Sequence, residues 1–342
     1  MNNQIMKKIL LFVVAFGILG SLWFFYALAP VDSSNTKNIP VTIEQGSSLS
    51  AIAAKLSDAE LIRSVSAFKI YARFTGAAGK LQAGVFGLNP AQSVQEITDT
   101  IVSGKSQELN VTIPEGLTVA EIDRLMASKG LGKEGDILDC AFNCDFSTFE
   151  FLPPKAAGTR EQGIGSRLEG YLFPDTYAVS PTDYVPKFFL ERMLGNFRKR
   201  IVTQYAAEAK REGMTFGGFV TMASLVEAES RHAEERAIIA GILWKRLQNR
   251  VVLGVDATTR YELGKKTEPL TKTDVETVSP YNTRRTQGLP PSPIGNAGES
   301  SFLAALRPKD SSYWYYLHDP KGIIHYAVTN DEHNANRAKY LR

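Results

Sequence analysis

The sequence predicts an α+β protein held on a single N-terminal transmembrane helix, with a small α+β subdomain ahead of a larger mixed α/β domain. An uncharged apolar run opens the chain, a strand–turn–helix pattern recurs at an offset of 70 residues, and helical spacing in the second half alternates with Pro- and Gly-rich loops before a terminal hairpin. The 342 residues exceed one typical domain, and 44% hydrophobic against 22% charged residues excludes a disordered chain. Lys plus Arg at 39 against Asp plus Glu at 36 leaves a net charge of +3, so no basic surface for a phosphate backbone and no nucleic-acid partner is expected. With 2 cysteines and 4 histidines, the chain lacks the material for a disulfide scaffold or a multi-ligand metal site, and no cofactor is expected.

Residues 1–8 read as a cytoplasmic tail and 9–29 as the membrane span. Ile9 to Ala29 (ILLFVVAFGILGSLWFFYALA) carries no charge and is long enough to cross about 30 Å of hydrocarbon as a helix. Ala27-Leu28-Ala29 has the small-x-small pattern of a cleavage site, but the run exceeds the roughly 7–15 residues of a signal sequence and Pro30 follows at once. A retained anchor is therefore expected. Trp23, Phe24, Phe25 and Tyr26 suit an interfacial aromatic belt, and Lys7 and Lys8 set the short N-terminal side in the cytoplasm. The rest of the chain then works on the far side of the cytoplasmic membrane. Residues 30–39 are polar and proline-bounded, which reads as a linker.

Residues 40–130 carry the repeat. Val41-Thr42-Ile43, Gly46, Leu49 and Ile52 recur as Val111-Thr112-Ile113, Gly116, Val119 and Ile122. Each copy reads as a short strand, a glycine turn and a helix whose apolar residues fall at helical spacing: Leu49, Ile52, Ala53 and Leu56, then Val119, Ile122, Leu125 and Met126. Thr118 and Glu121 fit a capping box. Between the copies, residues 83–90 read as a strand ending in a turn, and Ser93 to Gly104 as a helix stopped by its glycine. In shape the pattern resembles the LysM module, a small carbohydrate-binding βααβ unit. Without histidine, cysteine or paired carboxylates in an apolar setting, this region is expected to recognise rather than react.

Residues 131–342 hold the groups that can do chemistry. Cys140 and Cys144 are spaced for a small local disulfide if the backbone turns helically there, with free thiols as the alternative. Leu168 to Tyr177 (LEGYLFPDTY) packs aromatics, a Pro-Asp turn and a carboxylate together; a buried plug is the better reading of its aromatics. Phe216 to Arg231 (FGGFVTMASLVEAESR) is a helix with apolar residues all round, ending in Glu227 and Glu229. A carboxylate in such surroundings is costly unless paired or protonated, and desolvated carboxylates gather at functional sites. Two positions apart, these glutamates point about 200° from each other, so one should face the interior or a cleft and the other solvent or Arg231. The SPYNT and GLPPSPIGN segments (residues 279–283 and 288–296) form a long rigid loop, in which Asn282 and Thr283 offer neutral groups suited to hydroxyls and acetamides. Tyr313 to Leu317 and Ile323 to Val328 read as a hairpin preceding His333, which lacks the spaced partners of a metal site.

At these residues the chain resembles the MltG/YceG-like endolytic murein transglycosylases of bacterial cell envelopes. The likeness covers nearly the whole length: the anchor, the LysM-like region, LEGYLFPDTY, TMASLVEAES (residues 221–230), the two loops, and the terminal hairpin with Asn330 and His333. The resemblance implies that Glu229 is the catalytic residue, aligned on Ala223-Ser224 with the second glutamate of the family's motif. Ala228 stands where a basic residue is usual, and Val255-Asp256-Ala257 also departs from the pattern. It further implies that nascent peptidoglycan strands are cut between MurNAc and GlcNAc to give 1,6-anhydro ends, beside peptidoglycan synthases as partners. Glu227, Tyr281, Asn282, Thr283, Asn330 and His333 are the candidates for placing substrate. Two rival functions remain: a non-catalytic wall-binding scaffold that recruits synthesis enzymes, and hydrolysis with Asp256 or Glu169 as a second carboxylate.

Overall fold

A computed structural model of the chain describes residues 3–104, 108–154, 166–181, 184–230, 232–265 and 268–341. The chain divides into two compact units, one of Met1–Asn110 with Ala178–Asp183 and one of Val111–Tyr177 with Tyr184–Arg342. The repeat copies, expected within one region, thus belong to different units.

The first unit begins with α1 (Asn3–Leu28), of which Leu11–Leu28 is long and apolar enough to cross a membrane. At its foot Ala27 is buried and Leu28 packs on the unit's core. Arg63 clamps this end: its guanidinium donates to Tyr26 Oη at 2.9 Å, Pro30 O at 2.6 Å and Val31 O at 3.0 Å, and lies over the Tyr26 ring. The polar stretch expected as a linker is therefore anchored where it leaves the helix. Strand β1 (Ile39–Ile43) then pairs antiparallel with β2 (Gly84–Leu88), and α2 (Leu49–Asp58) and α3 (Val65–Phe74) lie between them in sequence. The order is β-α-α-β. Alternation puts Val41, Ile43, Phe86 and Leu88 inward against Ile52, Leu56 and Phe68, and α4 (Val94–Ser103) closes the core with Ile97 and Ile101.

The chain crosses to the second unit on β3 (Leu109–Thr112) and returns through β4 (Thr176–Val179), and these two strands pair. The repeat holds in conformation. Gly46 and Gly116 have φ of 80° and 81°, where a side chain would be strained. Ser48 and Thr118 cap α2 and α5 (Val119–Ser128) by accepting from Ala51 N and Glu121 N. The helices end alike, with Leu61 N donating to Leu56 O and Leu131 N to Met126 O. In α6 (Asp136–Asn143) a helical turn carries Cys144 back over Cys140, and the two are disulfide-bonded.

The second unit's core surrounds α9 (Phe216–Glu229). Every side chain from Phe219 to Val226 is buried, because α10 (Arg236–Gln248) and α13 (Glu299–Leu306) cover it, following α7 (Pro186–Phe197) and α8 (Thr203–Arg211) in the same unit. Phe219 and Phe197 meet Phe302 edge-on at 5.4 and 5.6 Å. The aromatics of LEGYLFPDTY are buried, as expected of a plug, and Leu172 N donates to Asn296 Oδ1, tying that segment to the proline-rich loop. The short helices α11 (Asp256–Leu263) and α12 (Lys272–Glu276) precede that loop. The expected hairpin forms from β5 (Tyr315–His318) and β6 (Ile324–Ala327), and α14 (Asn330–Tyr340) follows behind a Thr329/Glu332 capping box.

Candidate active site

Helix α9 delivers its two glutamates to different places, as the 100° step of a helix requires. Glu227 turns inward to an ion pair: its Oε1 accepts from Arg236 at 3.1 Å, while Oε2 accepts from Gly298 N at 3.0 Å and Ser301 Oγ at 2.9 Å. Arg231, the partner weighed from sequence, lies outside the described residues. With both oxygens engaged, Glu227 holds α9 to α10 and α13. Glu229 instead opens into a cleft of about 620 Å³, whose walls come from α10, α11, β5, α14 and the loops at residues 251–254 and 284.

The cleft sets the protonation of this carboxyl. Enclosure by protein drives the Glu229 pKa up to about 7, and the neighbouring charge of Asp256 pushes the same way. Against this work a hydrogen bond from Tyr316 Oη to Glu229 Oε2 at 2.9 Å and the positive charges of Arg284 and Arg246. The carboxyl is thus divided between acid and base near neutrality, the condition general acid–base catalysis favours. Arg284 grips both oxygens of Asp256, through Nε to Oδ1 and through a terminal nitrogen to Oδ2 at 3.1 Å. Arg246 donates to Trp314 O at 2.8 Å and Leu253 O at 2.6 Å and lies over the Tyr315 ring. His333 stacks on the same Tyr315 ring, with centroids 5.2 Å apart, and its pKa is held down by burial and by Arg337, Arg246 and Arg284.

Of the residues singled out from sequence, Glu229, Asn330 and His333 line this cleft together. Tyr281, Asn282 and Thr283 do not. All three are buried, and their polar groups are spent inside the protein. Tyr281 Oη bonds Ser292 Oγ; Asn282 Nδ2 donates to the carbonyls of Val275 and Thr277; Thr283 Oγ1 accepts from Val255 N. They brace the loop that carries Arg284 rather than offering groups to a ligand. Tyr316, Arg246, Arg284, Asn334 and Arg337 line the cleft without having been marked. Their common signal is weak: each is an ordinary surface-type residue until the fold gathers them.

Another carboxyl with a raised pKa lies apart from this cleft. Glu169 is 1% exposed, accepts from Val119 N at 3.2 Å and from Tyr261 Oη at 3.2 Å, and is pushed up to about 8 by desolvation. It borders a separate cavity of about 490 Å³ with Ala228, Ala257 and the start of α5. No cluster of metal-ligating side chains occurs among the described residues.

The YceG-like family matches residues 41–339, spanning both units. The endolytic murein transglycosylase of Bacillus subtilis (strain 168) is 32% identical over 321 residues, covering 92% of this chain and 88% of that protein. The protein of the same name from Streptococcus pneumoniae serotype 2 is 27% identical over 351 residues, covering 95% of this chain and 62% of its own length. A crystal structure of a yceG-like protein from Listeria monocytogenes superimposes with a TM-score of 0.60 at 32% identity, covering 88% of this chain and 99% of that one.

Proposed function

This chain belongs to the YceG-like family, and on that footing we propose that it acts as its relatives are named, as an endolytic murein transglycosylase, with Glu229 as acid and then base. The observation that carries the assignment of Glu229 is its setting: a carboxyl lining a cleft of about 620 Å³ with its pKa raised to about 7.

The chemistry needs one carboxyl to work twice. Protonated Glu229 gives its proton to the glycosidic oxygen as the bond from MurNAc C1 breaks and the GlcNAc hydroxyl leaves. The resulting carboxylate then takes the proton of the MurNAc 6-hydroxyl as that oxygen closes on C1, forming the 1,6-anhydro ring and restoring the acid. No water is consumed. Conventional hydrolysis needs a second, available carboxylate. Asp256 is the nearest candidate to Glu229 by its influence, and Arg284 holds both of its oxygens, which supports the single-carboxyl route. Asn330 and His333 are suited to place the sugar and its acetamido group.

Helix α1 is taken as a single-pass anchor in the cytoplasmic membrane, with both units on the outer side, where new glycan strands emerge. The β-α-α-β order of the first unit supports a LysM-like role in holding glycan, and synthases that make the strand are the partners such a cutter would work beside. The test is the product end. Glycan digested by the wild type and separated by mass spectrometry should carry anhydro ends; Glu229→Gln, equal in shape but unable to give a proton, should yield none. Anhydro ends at the wild-type rate from Glu229→Gln would refute the role of Glu229. Reducing ends from the wild type would favour hydrolysis, and intact cellular function in Glu229→Gln would favour the scaffold.

A further inference from the structure

We infer that Arg337 forms an anion subsite in the Glu229 cleft, taking a carboxylate carried on the 3-O-lactyl substituent of the muramic acid. The carboxylate has two sources, the free lactyl acid of a denuded strand or an acidic group on the peptide attached to it. The inference rests on the transglycosylase reading above and refines its substrate.

The geometry comes from α14. Asn330, His333, Asn334 and Arg337 all line the cleft, and their spacing of three, four and seven residues puts them on one helix face. None of the side chains of α14 is buried, so this stripe is not there to fill a core. Its N-terminus is fixed by the Thr329/Glu332 capping box, and it packs on β5 and β6, which keeps the stripe aimed at the cleft. His333 Nδ1 is enclosed yet has no hydrogen-bond partner among the described residues, an arrangement that suits a polar ligand. From Asn330 to Arg337 the helix rises about 10 Å, comparable to a disaccharide.

The charges single out Arg337. Two other guanidinium groups line the cleft, and both are committed to its walls: Arg284 to Asp256, Arg246 to the carbonyls of Trp314 and Leu253. Arg337 has no carboxylate partner among the described residues. The carboxyls lining the cleft are Glu229, uncharged while it serves as acid, and Asp256, matched by Arg284. The cleft therefore carries excess positive charge in a chain whose net charge is only +3. An uncharged sugar backbone gives that charge nothing to meet. In murein the negative groups nearest the backbone hang from the lactyl ether, and a guanidinium grips a carboxylate through two parallel hydrogen bonds.

The experiment compares full-length wild type, Arg337→Gln and Arg337→Lys on four glycans: denuded strands, peptide-bearing strands, and each of these with its carboxylates converted to neutral amides. Anhydro-ended product is followed as KM and kcat. For wild type, neutralising the substrate should raise KM roughly threefold, the worth of one exposed charge-assisted contact, with kcat little changed. In Arg337→Gln the ratio of KM values between neutralised and charged glycan should fall towards one, and Arg337→Lys should restore part of it. A ratio lost on denuded strands alone identifies the lactyl acid, and on peptide-bearing strands alone the peptide carboxylate. Equal ratios in wild type and Arg337→Gln on both overturn the subsite while leaving the transglycosylase reading intact. Absence of anhydro ends from the wild type on every glycan overturns that reading instead.

Discussion

Removing a single hydroxyl should move the pH profile of the reaction upward. Tyr316 Oη donates to Glu229 Oε2 at 2.9 Å, and this bond favours the ionised carboxylate, opposing the desolvation that lifts the Glu229 pKa to about 7. Tyr316→Phe keeps the ring and deletes the donor. A hydrogen bond to a charged group is worth about 1.5–3 kcal/mol, and about 1.4 kcal/mol corresponds to one pH unit. Because Glu229 lines a cleft and is only half-buried, the lower end applies, and the pKa should rise by about one unit. In kcat/KM, which reports ionisations of the free enzyme, the alkaline limb should therefore shift from near 7 to near 8. At pH 9 the variant would hold roughly tenfold more protonated acid than the wild type. The assay is anhydro-ended product quantified by mass spectrometry across pH 5–10, with kcat/KM fitted for both proteins. A limb that stays in place, or moves to lower pH, would refute the account of how the cleft sets this carboxyl.

Two further outcomes concern stability. Glu169, lifted to about 8 in the folded chain, binds its proton more tightly there than when unfolded, so it favours folding below about 4.5 and that contribution is lost as pH rises through 8. Glu169→Gln, which cannot ionise, should lose less stability than wild type between pH 5 and pH 9, by up to a few kcal/mol in denaturant melts; parallel pH curves for the two proteins would contradict the buried, protonated state. Gly170 sits at φ 85°, and a Cβ built there drives into the Pro293 ring. Gly170→Ala should lower stability by about 2 kcal/mol or more, seen as a clear drop in Tm; an unchanged Tm would mean the LEGYLFPDTY plug can move away from its loop.

What could be read in the sequence was what short-range physics controls. The apolar run, the period-70 repeat with its glycine turns, and the opposite facing of Glu227 and Glu229 follow from spacing alone. The polar loop misled for a physical reason. Asn282 and Thr283 have the chemistry of a sugar site, but a long loop without regular structure must satisfy its own backbone, and these side chains are consumed doing so. Tyr316 stood in plain view within Tyr313 to Tyr316, yet which of these rings meets Glu229 depends on the β5–β6 register and on where the hairpin lies. Helix α14 carries no apolar period because it buries none of its side chains, so neither its helicity nor the face it turns to the cleft was announced.

The Arg63 clamp has a mechanical meaning. A flexible tether would let the first unit tumble independently of the helix that carries it, but here the Arg63 guanidinium, just ahead of α3, holds Tyr26 in the last turn of α1 and the carbonyls of Pro30 and Val31, and Leu28 packs on the core. Any lean of α1 becomes a lean of the first unit. A bilayer thinner or thicker than the apolar stretch of α1 changes the tilt of such a helix. Under the proposed single-pass anchoring, lipid chain length would thereby act as a steering input on the attitude of the first unit.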